Sequence, residues 1–270
     1  MTIAQSLVHP RCERLTTQCA GRVIKIFGIG VEGSGSVDQS PDSPQKNSLP
    51  AAEQVHVLHI RKTGGTAIAE ALRPVAKLYR IILHDHGTKL SDIPAASKVV
   101  FFVRHPVPRF VSGFYSRFRR GLPRHFYDWT ENEKWAFSRF RTANDLAEAL
   151  TSANPQVASN AREAMRSVRH INSSYREWFG GTTELDNRLG SILLVGVQEK
   201  LRSDFEYLKK QLGLPDGLSL PADDVLAHRT PPEFDRQLSP LAERNLLGWY
   251  ADDVRFYEHC LQLRARRGPW

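Results

Sequence analysis

The segment KVVFFVR, residues 98–104, is almost continuous in apolar and β-branched side chains. A strand with one wet face alternates apolar and polar residues. A strand this uniform has to be covered on both faces, as in a parallel sheet between layers of helices. SILLVGVQE (191–199) has the same character, and VHVLHI (55–60) and LYRIILHDH (78–86) are further strand candidates, the latter expected to run up to Gly87. Helical patterns lie between them. A helix is expected over 65–76. Phe110, Phe114 and Phe118 fall at i, i+4, i+8, and mixed helical segments fill 131–180. Leu201, Phe205, Leu208 and Leu212 share a face before Gly213, a helix-stop residue. A last helix is expected from Ser239-Pro240, with a stripe through Leu247, Tyr250, Val254, Tyr257 and Leu261. Strands alternating with helices predict an α/β fold with a central, mainly parallel sheet flanked by helices. Ligands of such sheets bind at the carboxyl ends of the strands.

The chain carries a net charge of +8, and residues 101–180 hold thirteen Lys/Arg against seven Asp/Glu. An anionic partner is therefore expected, such as a nucleotide, an acidic glycan, nucleic acid or a membrane surface. No nucleic-acid-binding module is recognisable, and no apolar run approaches the roughly 20 residues that span a bilayer. Cys12, Cys19 and Cys260 have neither disulfide-framework nor zinc spacing, so a reducing, cytoplasmic compartment is the default expectation. Residues 31–54 are rich in Ser, Gly, Pro and Asp and poor in large apolar side chains. Residues 1–54 are therefore expected to be a flexible leader and linker, and 55–265 the folded domain.

In HIRKTGGTA (59–67) a strand candidate meets a helix candidate through a basic, glycine-bearing turn. Such a turn aims backbone N–H groups and the positive end of the helix dipole at one point. Gly64 and Gly65 let the backbone close around an anion, Thr63 and Thr66 add hydroxyls, and Lys62 adds a charge. A Walker A loop places its lysine after the last glycine; here it comes before. The residues alone fit either an anion site or a tight turn. Arg104 ends the third strand, and Ser112 follows eight residues later on a helix. A guanidinium fork and a hydroxyl can converge on one phosphate, or both can face water.

Together the two motifs resemble those of sulfotransferases that use 3′-phosphoadenosine 5′-phosphosulfate (PAPS). The pattern is similar to that of carbohydrate sulfotransferases related to the heparan sulfate 2-O and 6-O enzymes, whose loop usually reads Pro-Lys-Thr-Gly-Gly-Thr. Here Arg61 replaces the proline. The resemblance covers residues 55–262, most specifically 55–119. It implies a P-loop-like three-layer domain. It also implies that Lys62, Thr63, Gly64, Gly65, Thr66 and Ala67, with Arg61 beside them, hold the 5′-phosphosulfate, and that Arg104 and Ser112 hold the 3′-phosphate. Arg229 and Thr230, in AHRTPPEF, match a loop that closes over the nucleotide in such enzymes. No essential metal is implied.

His84 and His86 sit two residues apart in HDH, which on a strand puts both on one face. They can be a structural pair, two ligands of a metal lacking a recognisable third, or a general base; 2-O-sulfotransferases carry a similar His-x-His. The slight preference for the base is His84. Arg117, Arg119, Arg120, Arg124 and His125, and a helical face with Arg162, Arg166 and Arg169, read either as solvated surface or as a groove for an anionic chain. Phe126, Tyr127, Trp129 and Trp135 could stack on sugars or pack inside. The expected activity is sulfuryl transfer from PAPS to a hydroxyl, on a carbohydrate acceptor that the charge allows to be anionic. The alternatives are an NTP-dependent phosphotransferase and a non-catalytic binder of anionic glycans.

Overall fold

The computed structural model describes residues 54–227 and 229–267. The leader and linker expected over 1–54 lie outside the described residues, apart from Gln54, as do Cys12 and Cys19. Four strands form one parallel sheet: β1 (Val55–Val57), β2 (Ile81–Leu83), β3 (Lys98–Val103) and β4 (Ile192–Val197), in the order β2-β1-β3-β4. Helix α1 (Gly65–Leu72) joins β1 to β2. Between β3 and β4 come α2 (Pro106–Phe118), α3 (Glu131–Arg139), α4 (Ala143–Ala149), α5 (Pro155–Ser167), α6 (Arg176–Phe179) and α7 (Thr182–Asn187). After β4 follow α8 (Leu201–Leu212), α9 (Pro240–Trp249) and α10 (Ala251–Arg267).

The uniform strand is buried on both faces because its side chains alternate between two apolar layers. Val99, Phe101 and Val103 pack with Tyr175, Trp178, Phe179, Phe256 and Tyr257 on one side. Val100 and Phe102 pack with Ile68, Leu72, Phe205 and Leu208 on the other. Burying each phenylalanine contributes about 1.5–3 kcal/mol. An irregularity keeps β4 in phase: Val99 pairs with Ile192 but Val100 with Leu194, so Leu193 is extra and the apolar faces still match across the strands. Helices α2 to α5 and α9 close a further core around Phe110, Phe114, Phe137, Leu146 and Leu246.

Several boundaries differ from expectation for local reasons. Helix α1 stops at Leu72 because Pro74 cannot continue it. Strand β2 is only three residues long. Arg80 precedes it at φ 55°, and Asp85 Oδ1 accepts from Gly87 N at 2.9 Å, turning the chain so that His84 and His86 lie beyond the strand. The last helix is two helices broken at Tyr250. Leu247 and Leu261 of the expected stripe are exposed, and Ala242, Leu246, Phe256, Cys260 and Leu263 are buried instead. Arg169 lies past the end of α5 and does not share its face.

Candidate active site

The strand order reverses direction at β1. Chain leaving β1 crosses to β2 on one side, and β3 then returns to the other. The carboxyl ends of β1 and β3 therefore flank the crevice where ligands of α/β sheets bind. A cleft of about 1700 Å³ opens there. Its lining includes Arg61, Lys62, Gly64, Gly65, Thr66, His84, His86, Arg104, Ser112, Arg229 and Thr230. Thr63 and Ala67 are the members of the expected set whose side chains turn away. The Thr63 hydroxyl donates to Ile60 O at 3.0 Å and is buried, so it braces the turn; Ala67 packs inward. What these two can offer an anion is backbone N–H.

The 61–64 turn is built from left-handed backbone. Lys62 has φ 66° and Gly64 φ 91°. A side chain at Gly64 would be strained and would meet Leu201 at 3.0 Å. A Cβ at Gly65 would lie 2.3 Å from the His59 ring, so the second glycine is required by the imidazole stacked over it. No side chain caps the first turn of α1, which leaves its N–H groups directed at the cleft. Burial, reinforced by the positive charges of Arg119 and Arg104, brings the Lys62 ammonium down to about 7.

Arg104 stands at the end of β3 and reaches back across the crevice. Its Nη1 donates to Lys62 O at 3.5 Å, while its Nε is buried without a partner among the described residues. Ser112, on the second turn of α2, lines the same cleft. The N-terminus of α2 is fixed by His105, whose Nδ1 accepts from Val107 N at 3.3 Å, and by Pro106.

The histidines form two pairs rather than one. His84 Nε2 lies 2.9 Å from His56 Nδ1, a contact in which one ring donates and the other accepts. His86 packs on His59, ring centroids 4.0 Å apart, and its Nδ1 is 2.9 Å from His59 O. A carbonyl can only accept, so Nδ1 carries the proton and Nε2 the free lone pair. Trp178 Nε1 donates to His86 O at 2.9 Å, holding the residue from the other side. Burial lowers His86 below the usual histidine range, with further lowering from Arg61 and Lys62. Burial lowers His84 as well, against the pull of Asp85 and Asp92. Among the described residues no three potential metal ligands are gathered.

Two cleft histidines were missed in the sequence. His59, pushed to about 3 by burial and then by His86 and Lys62, sits at the carboxyl end of β1, where the strand-end rule could have found it. His170, at φ 72° and with Nδ1 buried and unpartnered, gave no signal inside its basic run. Arg117, Arg124, His125 and Arg169 of the basic run line the cleft, and Arg166 and Arg169 are exposed, yet much of the run is paired. Arg117 and Arg169 are committed to the fully buried Glu133, Arg124 to Glu70, and Arg119 to the carbonyls of Leu122 and Arg229. Trp129 and Trp135 pack against the helical core, whereas Phe126 and Tyr127 are exposed.

A sequence model of the Sulfotransferase family matches residues 52–259, which takes in every strand among the described residues and the whole cleft lining. No curated protein and no solved structure matches the chain. The family match spans well over half of the 270 residues, and the chain belongs to the sulfotransferase family.

Proposed function

We propose that the protein, residues 55–265 forming its catalytic domain, transfers the sulfuryl group of PAPS to a hydroxyl of a carbohydrate. One observation carries this reading: Lys62 and Arg104 converge from adjacent strand ends on the switch-point crevice, the guanidinium bridging to the lysine's own carbonyl with Nε still unused. The residues fit a ligand with two anionic ends. The 61–67 turn, with uncapped N–H groups and an ammonium, suits the phosphosulfate; Arg104 and Ser112 suit a separate phosphate. Arg229 and Thr230 border the same space from the segment before α9. The cleft lining holds nine Lys/Arg and five Asp/Glu, which favours an anionic acceptor as well as an anionic donor.

PAPS supplies an activated sulfuryl group with a good leaving phosphate. The chain's contribution is orientation, charge stabilisation and removal of one proton. Arg104 and Ser112 fix one end of the donor, which aligns the other for in-line displacement. Lys62 and the turn's N–H groups stabilise charge growing on the bridging oxygen. His86 Nε2, its tautomer set by the His59 carbonyl, accepts the proton of the acceptor hydroxyl. This assigns the base to His86 in preference to His84, whose Nε2 faces His56.

Calorimetry with 3′-phosphoadenosine 5′-phosphate (PAP) and with ATP separates this from an NTP-using enzyme. PAP is expected to bind at least tenfold more tightly, and equal affinities would remove the 3′-phosphate role from Arg104 and Ser112.

A further inference from the structure

Tyr175 has no exposed surface, yet its hydroxyl holds the backbone of a residue of the candidate site, Arg104. It donates to Arg104 O at 2.6 Å and accepts from Arg104 N at 2.8 Å, holding both backbone groups of one residue. The backbone N–H of Tyr175 donates to Asp253 Oδ1 at 2.9 Å, which also accepts from Ser174 Oγ at 2.6 Å. The other oxygen of Asp253 takes Arg109 Nη1 at 2.9 Å. Arg109 lies over the Tyr175 ring, 4.5 Å from its centroid, and donates Nε to Arg61 O at 3.2 Å. Arg104 Nη1 reaches Lys62 O. The contacts thus close a ring that starts and ends on consecutive carbonyls of the phosphosulfate turn, Arg61 and Lys62.

The members come from α2, the segment before α6, and α10, and Arg109 and Asp253 are 3% and 2% exposed. A buried ion pair is weak evidence for stability, because desolvation offsets most of its attraction. Its arrangement, however, ties the strand end that bears Arg104 to the turn that bears Lys62, the two groups proposed to grip opposite ends of one ligand.

We propose that Arg109, Asp253 and Tyr175 are positioning residues that hold Arg104 in register with the 61–64 turn, and that discrimination for the 3′-phosphate depends on this ring. The proposal rests on the donor reading above. None of the three lines the cleft, so they act through Arg104 and the turn.

The test is the ratio of affinities for PAP and adenosine 5′-phosphate, which differ by the 3′-phosphate alone. It is measured by calorimetry on the whole protein, Tyr175→Phe, Arg109→Lys and the double variant. Tyr175→Phe removes one hydroxyl; Arg109→Lys keeps a cation for Asp253 but loses the Nε bond to Arg61 O. Each single change is expected to lower the ratio about tenfold, with adenosine 5′-phosphate affinity changed less than about twofold. The double variant is expected to lose no more than the worse single, since a ring needs breaking only once. A merely structural role would lower thermal stability and leave the ratio unchanged, which overturns the proposal. Additive losses overturn it too, by showing two separate local effects. A wild type that does not prefer PAP defeats the donor reading itself, and the ring proposal with it.

Discussion

His86 and His84 are two residues apart and chemically alike, yet their surroundings differ. His86 has a carbonyl on Nδ1, a tryptophan on its own carbonyl, and Lys62 and Arg61 nearby to disfavour its charged form. His86→Gln is expected to reduce kcat by about 10²–10⁴-fold, and His84→Gln by less than tenfold. Because burial and neighbouring cations lower His86, its neutral form persists below pH 6.5. The acid limb of the kcat profile should therefore lie below that value and vanish in His86→Gln. Lys62 gives a second prediction. With its ammonium at about 7 in the free protein, roughly one-tenth is protonated near pH 8. A 5′-phosphate bound in the turn raises that value again, so donor-site binding near pH 8 should take up close to one proton, declining toward zero below about pH 6. Calorimetry of PAP binding in buffers of different ionisation enthalpy measures this uptake, and Lys62→Met should abolish it.

At the scale of elements, the helical layer beside the cleft hangs on Glu133. Burial alone would raise this carboxyl, but hydrogen bonds from Arg117 and Arg169 outweigh it and hold it at about 2. A carboxyl depressed from 4.5 contributes stability that is complete above its unfolded value and is lost as pH falls toward 2. Glu133→Gln is expected to cost about 3–5 kcal/mol near neutrality and to flatten the acid limb of unfolding, as followed by denaturant titration at several pH values. Between β3 and β4 a Cβ on Gly196 would meet the Phe102 ring at 2.2 Å, so Gly196→Ala is expected to lower stability by about 1–3 kcal/mol in the same titration. Strands β3 and β4 were legible in the sequence because burial on both faces writes an apolar run. The start of α8 through Leu201 and Phe205 was legible because one face repeats. The short β2 was not, since the left-handed Arg80 and the Asp85 turn that bound it leave no compositional mark. Nor was the role of Arg117, whose partner Glu133 arrives from another helix.

Across the whole molecule, the parallel order β2-β1-β3-β4 brings two motifs some forty residues apart to one crevice, at the strand carboxyl ends where ligands of such sheets bind. The Arg109–Asp253 pair spans 144 residues of sequence and could not be read from it, because only the packing of α10 beside α2 creates the contact. Among the described residues no helix is long and apolar enough to cross a membrane. The central claim is sulfuryl transfer from PAPS, and its most direct measurement is a transfer assay with PAPS carrying labelled sulfur, a panel of neutral and anionic glycans, the wild type and Lys62→Ala. Label should move to at least one glycan, and Lys62→Ala should slow that transfer by about 10²–10³-fold. Label that stays on the nucleotide with every acceptor, or transfer undiminished by Lys62→Ala, would contradict the account.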